Sequence, residues 1–245
     1  MRLYELLEQD FPEIKYRAAR SKVPDLYAYS DPDSFRSDDD VTPIDKHYAE
    51  NPNVSKLGIG AFSTAYQHKH SPHDVVKGSK LTTKPDGFEA FFMALSEHPK
   101  MQANPYFPRF RNINRFKAKG KQQTSYMVRI EALEKLKALP DRESEMLFDK
   151  IFTDEGRELV KERIHRWDRQ PAKWNYLSNG IEYIDHDPAI KAQVKDEHLL
   201  QAMDFLKELS IKHEYDLDLH DENIMIRRTS VGPQLVINDP LGFST

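Results

Sequence analysis

The order of patterned segments predicts an α+β chain in two lobes: strands with one inserted helix, then helices, then a terminal hairpin. Three observations carry this expectation. VSKLGIGAFSTAYQH, DVVKGSK, NPYFPRFRNIN and TSYMVRIEAL are short, apolar or alternating runs of strand character. GFEAFFMALSEH, residues 87–98, sets Phe88, Phe91, Phe92 and Leu95 at helical spacing, and residues 141–212 carry that period further. IMIRRTSVGPQLVIND, near the end, holds two apolar runs about a Gly-Pro pair that reads as the turn of a hairpin.

The elements follow in order. Leu3, Leu6 and Leu7 share one face of a short helix expected over residues 1–10. Residues 22–53 carry four prolines and the acidic run Asp38, Asp39, Asp40, which reads as a solvated loop. Residues 1–53 are therefore taken as an irregular N-terminal extension. Residues 54–135 form a β-rich lobe with one helix, and 136–245 a helical lobe ending in the hairpin. Within that lobe ESEMLFDKIF and EGRELVKERIHRW are amphipathic. A Pro- and Asn-containing stretch follows. AIKAQVKDEHLLQAMDFLKELSIKH then repeats apolar residues at Ile190, Val194, Leu199, Met203, Leu206 and Leu209.

Composition narrows the chemistry. The chain has 245 residues, a net charge of −4 and no cysteine. Disulfides, thiolate metal sites and cysteine nucleophiles are excluded, and a reducing, cytoplasmic setting is expected. The charge gives no global argument for nucleic acid, and no apolar run is long enough for a membrane span.

DLDLHDEN, residues 216–223, crowds four carboxylates, a His and an Asn into eight positions just before an apolar run. Asp218 and Asn223 are five apart, and Asp239 lies sixteen beyond Asn223 across the hairpin. An Asp can orient an attacking hydroxyl and accept its proton. An Asn amide oxygen and a second carboxylate can hold Mg²⁺ on nucleotide phosphates, offsetting the repulsion. Upstream, Gly58 and Gly60 in LGIGAFSTAY let backbone N–H groups approach phosphate oxygens, though a G-x-G in a hairpin is by itself more often a turn. Lys77, inside the apolar VVKG, must be paired or reach solvent. Its ammonium could meet phosphates, oriented by an acid on the next helix.

Taken in order, these pieces resemble the protein-kinase signature set. LGIGAFSTAY resembles the glycine-rich loop, with Ser63 at the third glycine. VVK resembles the lysine strand, DLHDEN the catalytic loop, and NDP the D-F-G entry. Over residues 55–245 the chain is similar above all to the compact early serine/threonine kinases of short-tailed lytic bacteriophages, through LG-x-G-x-FS-x-AY-x-H, D-x-H-x-x-NIM and DP-x-x-FS. The resemblance implies a kinase-like fold binding ATP and Mg²⁺, and host proteins as phosphate acceptors in the host cytoplasm. By position it implies phosphate contacts from Gly58, Gly60, Ser63 and Lys77, and adenine contacts from the backbone of Glu131 and Leu133. Asp218 is implied as the base, and Asn223 and Asp239 as Mg²⁺ ligands. His220 could contact the transferred phosphate. Glu89 is the expected partner of Lys77, with Glu97 as fallback.

The departures are equally specific. Asp216 and Leu217 stand where H-R precedes the catalytic Asp, and D-F-G is Asp239-Pro240-Leu241. Thr245 ends the sequence six residues past Asp239, so the helical lobe is expected to be truncated, without activation segment or later helices. DLH at 218–220 also suits small-molecule kinases of the aminoglycoside or choline type. A binding-only pseudokinase and transfer of AMP are further alternatives. Other clusters read more plainly. His68, His70 and His73 suit a polar hairpin loop better than a metal site. Arg109, Arg111 and Arg115, interleaved with Phe107, Phe110 and Phe116 before the KAKGK turn, suit a strand pair with its aromatic side inward. Trp167 and Trp174 are expected in the core.

Overall fold

The computed structural model describes residues 51–59, 63–80, 86–117, 124–166, 168 and 171–243, and no side chain at 112, 114–117, 124 or 243. The helix expected over 1–10, the acidic run Asp38–Asp40, Gly60, the KAKGK turn past Lys117, and Trp167 lie outside the described residues. The described chain divides into two compact units: 51–80 with Arg115–Met127, and 86–114 with 128–243.

In the first unit β1 (Val54–Ile59), β2 (Ser63–His68) and β3 (Asp74–Ser79) run antiparallel in sequence order. With β4 (Phe110–Lys117) and β5 (Thr124–Glu131) they make a five-stranded sheet of order β1-β2-β3-β5-β4. The register slips between Lys56 and Gly58, a bulge where the glycine segment begins. Ser79 and Ser125, both buried, satisfy one another: the Ser125 hydroxyl donates to the Ser79 carbonyl at 2.8 Å, and the Tyr126 N–H donates to Ser79 Oγ at 2.9 Å.

The second unit starts with α1 (Gly87–Glu97), capped by Asp86, whose carboxylate accepts the Glu89 N–H at 2.7 Å. Phe91 meets Phe107 edge-on, and Phe92 meets Phe110 in the same way. The aromatic side of that segment is thus inward while Arg109 is exposed. A Cβ on Gly87 would collide with the Leu241 backbone, so the helix starts flush against β10 (Leu241–Phe243). After the short α2 (Pro99–Gln102) and β6 (Glu134–Lys135) come α3 (Asp141–Ile151), α4 (Asp154–His165), α5 (Lys173–His186), α6 (Pro188–Lys191) and α7 (Glu197–His213). Their buried stripes, among them Phe148, Ile164, Leu177, Ile181, Leu199 and Leu206, form this unit's core.

The α+β class and the order of sheet, helices and hairpin are as the sequence pattern predicts. Four details differ. The single period read over residues 189–213 breaks into α6 and α7, because Asp196 caps a new helix by accepting the His198 and Leu199 N–H groups. The Pro- and Asn-containing stretch contains the helix α5. The turn of the terminal hairpin is Ser230-Val231. Gly232, at φ +117°, already pairs with Thr229 and opens the next strand with Pro233 behind it. Trp174 is only half-buried, with the Lys137 ammonium 5.4 Å above its ring.

Candidate functional site

The acidic stretch is a loop between two strands whose partners return to it. β7 (Tyr215–Leu217) enters it and β8 (Ile224–Thr229) leaves it. β8 pairs with β9 (Gly232–Ile237) from Thr229↔Gly232 to Ile224↔Ile237, and β10 pairs with β7 from Leu241↔Leu217. The register therefore sets Asn238-Asp239-Pro240 opposite Asp218–Asn223. Two backbone bonds close the juncture: the Asp218 N–H donates to the Pro240 carbonyl and the Asn238 N–H to the Asn223 carbonyl, each at 2.8 Å. Residues sixteen apart in sequence are adjacent for this reason.

Within the loop Leu219 is buried and anchors the chain, while Asp218 and Asn223 are half-buried and His220 is exposed. The Asn223 N–H donates to the His220 carbonyl at 3.0 Å, and the Asn223 amide nitrogen donates to the Asp218 carbonyl at 2.9 Å. His220 Nε2 stands 3.4 Å from Asp218 Oδ1 and 3.0 Å from that amide nitrogen. His220 Nδ1 accepts the Glu222 N–H at 3.1 Å. Asp221 is paired with Lys137 at 2.6 Å, and that bond holds the lysine pKa above its ordinary value. Crowding of the carboxylates is thus relieved by one ion pair and by the exposure of Asp216 and Glu222 to water.

The donor chemistry suits Mg²⁺. The bond to the Asp218 carbonyl demands the nitrogen of the Asn223 amide, which fixes the amide orientation and makes its oxygen the atom that could face a cation. That oxygen and the Asp239 carboxylate are hard donors. Among the described residues no three His, Asp or Glu side chains converge on one metal position. Mg²⁺ held with substrate phosphates needs only one or two carboxylates from the protein.

Glu131 closes β5. Its N–H donates to the Arg109 carbonyl at 2.9 Å, and its carboxylate grips Arg227 of β8 through both oxygens while accepting the Arg109 N–H at 2.8 Å. Arg227 is buried and also donates to the Pro105 and Phe107 carbonyls at 2.9 and 2.8 Å. This clamp ties the strand leading out of the loop to the end of β5. Sequence reasoning missed both Arg227 and the Lys137–Asp221 pair. An Arg inside the apolar run IMIRRT was the available signal for the first. Leu133 follows Glu131, half-buried, two residues on.

The remaining expected residues lie as follows. Glu89 is 1% exposed in the first turn of α1, and with Asp86 its charge raises the Tyr215 pKa, after burial as the main cause. Glu97 is exposed at the end of that helix. Lys77, in the other unit, is half-buried on β3 opposite Ala65. Ser63 is buried at the start of β2. Gly58 sits on exposed β1, and a Cβ there would meet nothing within 4 Å, so packing of the described chain does not demand glycine at this position. His68 is buried, with the His70 N–H donating to its Nδ1 at 3.1 Å.

No protein-family model and no curated protein matches the chain. Among solved structures it is similar to the aminoglycoside phosphotransferase APH(4)-Ia, at 16% identity and a TM-score of 0.35, covering 80% of this chain and 68% of that one. A thermostable mutant of the same protein in its apo form gives 16% identity and a TM-score of 0.37, over 80% and 69% of the two chains. No helix among the described residues is long and apolar enough to cross a membrane.

Proposed function

We propose that this chain is an ATP- and Mg²⁺-dependent phosphotransferase acting on serine or threonine of proteins. The observation that carries the reading is the closed juncture of two loops, which sets Asp218 and Asn223 beside Asp239 through paired backbone bonds. Asp218 orients the acceptor hydroxyl and takes its proton as the oxygen bonds to the γ-phosphorus. The bond from that phosphorus to the bridging oxygen breaks, and ADP leaves. Asn223 Oδ1 and the Asp239 carboxylate are the residues to hold Mg²⁺, which supplies charge neutralisation to the phosphates. Lys77, Gly58, Gly60 and Ser63 are assigned to phosphate binding, and the backbone of Glu131 and Leu133 to adenine, on their match to the kinase pattern. Glu89 is the proposed partner of Lys77 on the same ground. The motifs shared with the early phage kinases support host proteins as acceptors.

A second reading, a small-molecule acceptor, is favoured by the D-x-H order at Asp218–His220. One assay tests both. The purified chain is incubated with γ-labelled ATP and Mg²⁺, with and without bacterial lysate, beside Asp218→Ala. Label on protein that vanishes in the variant supports the first reading. Label on small molecules alone supports the second. ATP bound with no transfer in any fraction defeats both and leaves a binding protein.

A further inference from the structure

Residues 104–109, between α2 and β4, form neither helix nor strand, yet Tyr106 and Phe107 are buried. Buried backbone without a ladder must find its partners elsewhere. The Asn104 amide oxygen accepts the Tyr106 N–H at 2.9 Å, and the Tyr106 carbonyl accepts the Ile237 N–H at 2.8 Å. The Pro105 and Phe107 carbonyls both accept from Arg227. Arg109 gives its N–H to the Glu131 carboxylate and takes the Glu131 N–H on its carbonyl. The Arg227 fork then closes on both oxygens of that carboxylate. One buried guanidinium joins this segment, the end of β5 and the strand that leaves the acidic loop.

The residues just past Glu131 show what the fork controls. β5 ends at Glu131 and β6 begins at Glu134, so Ala132 and Leu133 bridge two anchors. Glu134 is set by pairing with Ile226, and Glu131 by Arg227, the next residue of the same strand β8. We propose that Arg227 is a positioning residue: through the Glu131 carboxylate it fixes the backbone of residues 131–133 against an adenine base, and its loss weakens nucleotide binding and not the transfer step. For its ligand this rests on the phosphotransfer reading above. Without the fork, Glu131 keeps only its bonds with Arg109. The base itself must then order the two-residue bridge, which lowers affinity. Asp218 and Asn223 are held separately, by backbone bonds to Pro240 and Asn238 in which Arg227 has no part.

Binding and kinetics on the full chain test this. Arg227→Lys keeps the charge and loses the fork; Glu131→Gln breaks the same contact from its other side, should either variant fold poorly. Calorimetric titration reads the affinity for adenosine and for Mg²⁺-tripolyphosphate, and phosphate release from γ-labelled Mg²⁺-ATP gives KM and kcat. In both variants adenosine affinity should fall and KM for ATP should rise, each by about 10-fold, with kcat and tripolyphosphate affinity within about twofold of wild type. A merely structural role would lower the folded fraction, and kcat in step with it, and would leave KM and adenosine affinity unchanged. That result overturns the proposal, as does an equal loss of adenosine and tripolyphosphate affinity. A wild-type chain that binds adenosine but transfers no phosphate defeats the phosphotransfer reading alone, since the adenosine affinities still decide the role of Arg227. A wild-type chain that binds neither adenosine nor ATP overturns both.

Discussion

Arg227→Met removes the guanidinium from the clamp that joins β8 to the end of β5. The Arg227 side chain is 7% exposed and that of Glu131 14%, so the charges have little water to fall back on. The arginine bonds both carboxylate oxygens of Glu131 and the carbonyls of Pro105 and Phe107. Methionine fills much of the volume but leaves the carboxylate with one remaining bond, from the Arg109 N–H at 2.8 Å. Stranding a buried charge in this way costs about 3–5 kcal/mol. That is a large share of the roughly 5–15 kcal/mol that holds a domain folded.

Urea unfolding is the assay, with the midpoint read at constant slope. Arg227→Lys keeps the charge but not the planar fork, and should lose about 1–3 kcal/mol. The decisive comparison is Arg227→Met with the double variant Glu131→Gln, Arg227→Met. The double variant removes the stranded charge, so it should be more stable than Arg227→Met alone. A cost below about 1 kcal/mol for Arg227→Met, or strictly additive single losses, would refute a buried charge clamp.

Further outcomes follow from other contacts. Asp218→Ala, at a half-exposed position, should abolish phosphotransfer while shifting stability by no more than about 0.5 kcal/mol; loss of both would make the residue structural. Asn223→Asp exchanges the donor that meets the Asp218 carbonyl for an acceptor, so turnover should fall even though a metal-binding oxygen remains, and unchanged turnover at saturating Mg²⁺ would contradict the amide assignment. Gly87→Ala forces a Cβ into the Leu241 backbone, for a loss of about 1–3 kcal/mol in urea unfolding, against no loss if α1 can slide. Tyr106 is 1% exposed, and burial followed by its 2.7 Å bond to Asp196 raises its pKa far above the ordinary 10.0. The unfolded chain releases this proton first as pH rises. The stability from Tyr106 is therefore complete below pH 10 and declines above it, by up to about 1.4 kcal/mol per pH unit, and Tyr106→Phe should flatten that slope.

What could be read from sequence was what is local and strongly patterned. The helix with Phe88, Phe91, Phe92 and Leu95, the three-strand start and the D-x-x-x-x-N loop each occupy one short window. What could not be read depends on partners far along the chain. Arg227 and Glu131 are 96 residues apart, and neither segment alone says that the other is near. α5 was hidden by Asn175, Ser178, Asn179 and Gly180, poor helix formers overridden by burial of Leu177, Ile181 and Ile184. Gly180 is there for packing, since a Cβ would stand 3.0 Å from the Phe152 ring. Gly232-Pro233 looked like a turn because both residues favour one, yet the left-handed φ belongs to the residue just after a two-residue turn.

The loop's charge has a geometric reason that only the registers disclose. Two strand pairs, Leu217↔Leu241 and Ile224↔Ile237, bound two arcs of unequal length. The longer runs from Asp218 to Asn223 and the shorter from Asn238 to Pro240. The backbone bonds of Asp218 to Pro240 and Asn223 to Asn238 pair off the ends of both arcs. Leu219 to Glu222 are then left facing the single residue Asp239. Four residues cannot lie flat against one, so the longer arc must bulge. Leu219 turns inward and is buried, while His220 and Glu222 are exposed at the crest. Carboxylates on such a bulge keep their hydration, and Lys137 neutralises Asp221 at its flank. Asp218 and Asn223, at its two feet, are the residues whose backbones are fixed. A sequence that needs two positioned side chains and can accept hydrated charge between them satisfies both demands by making one arc longer than the other.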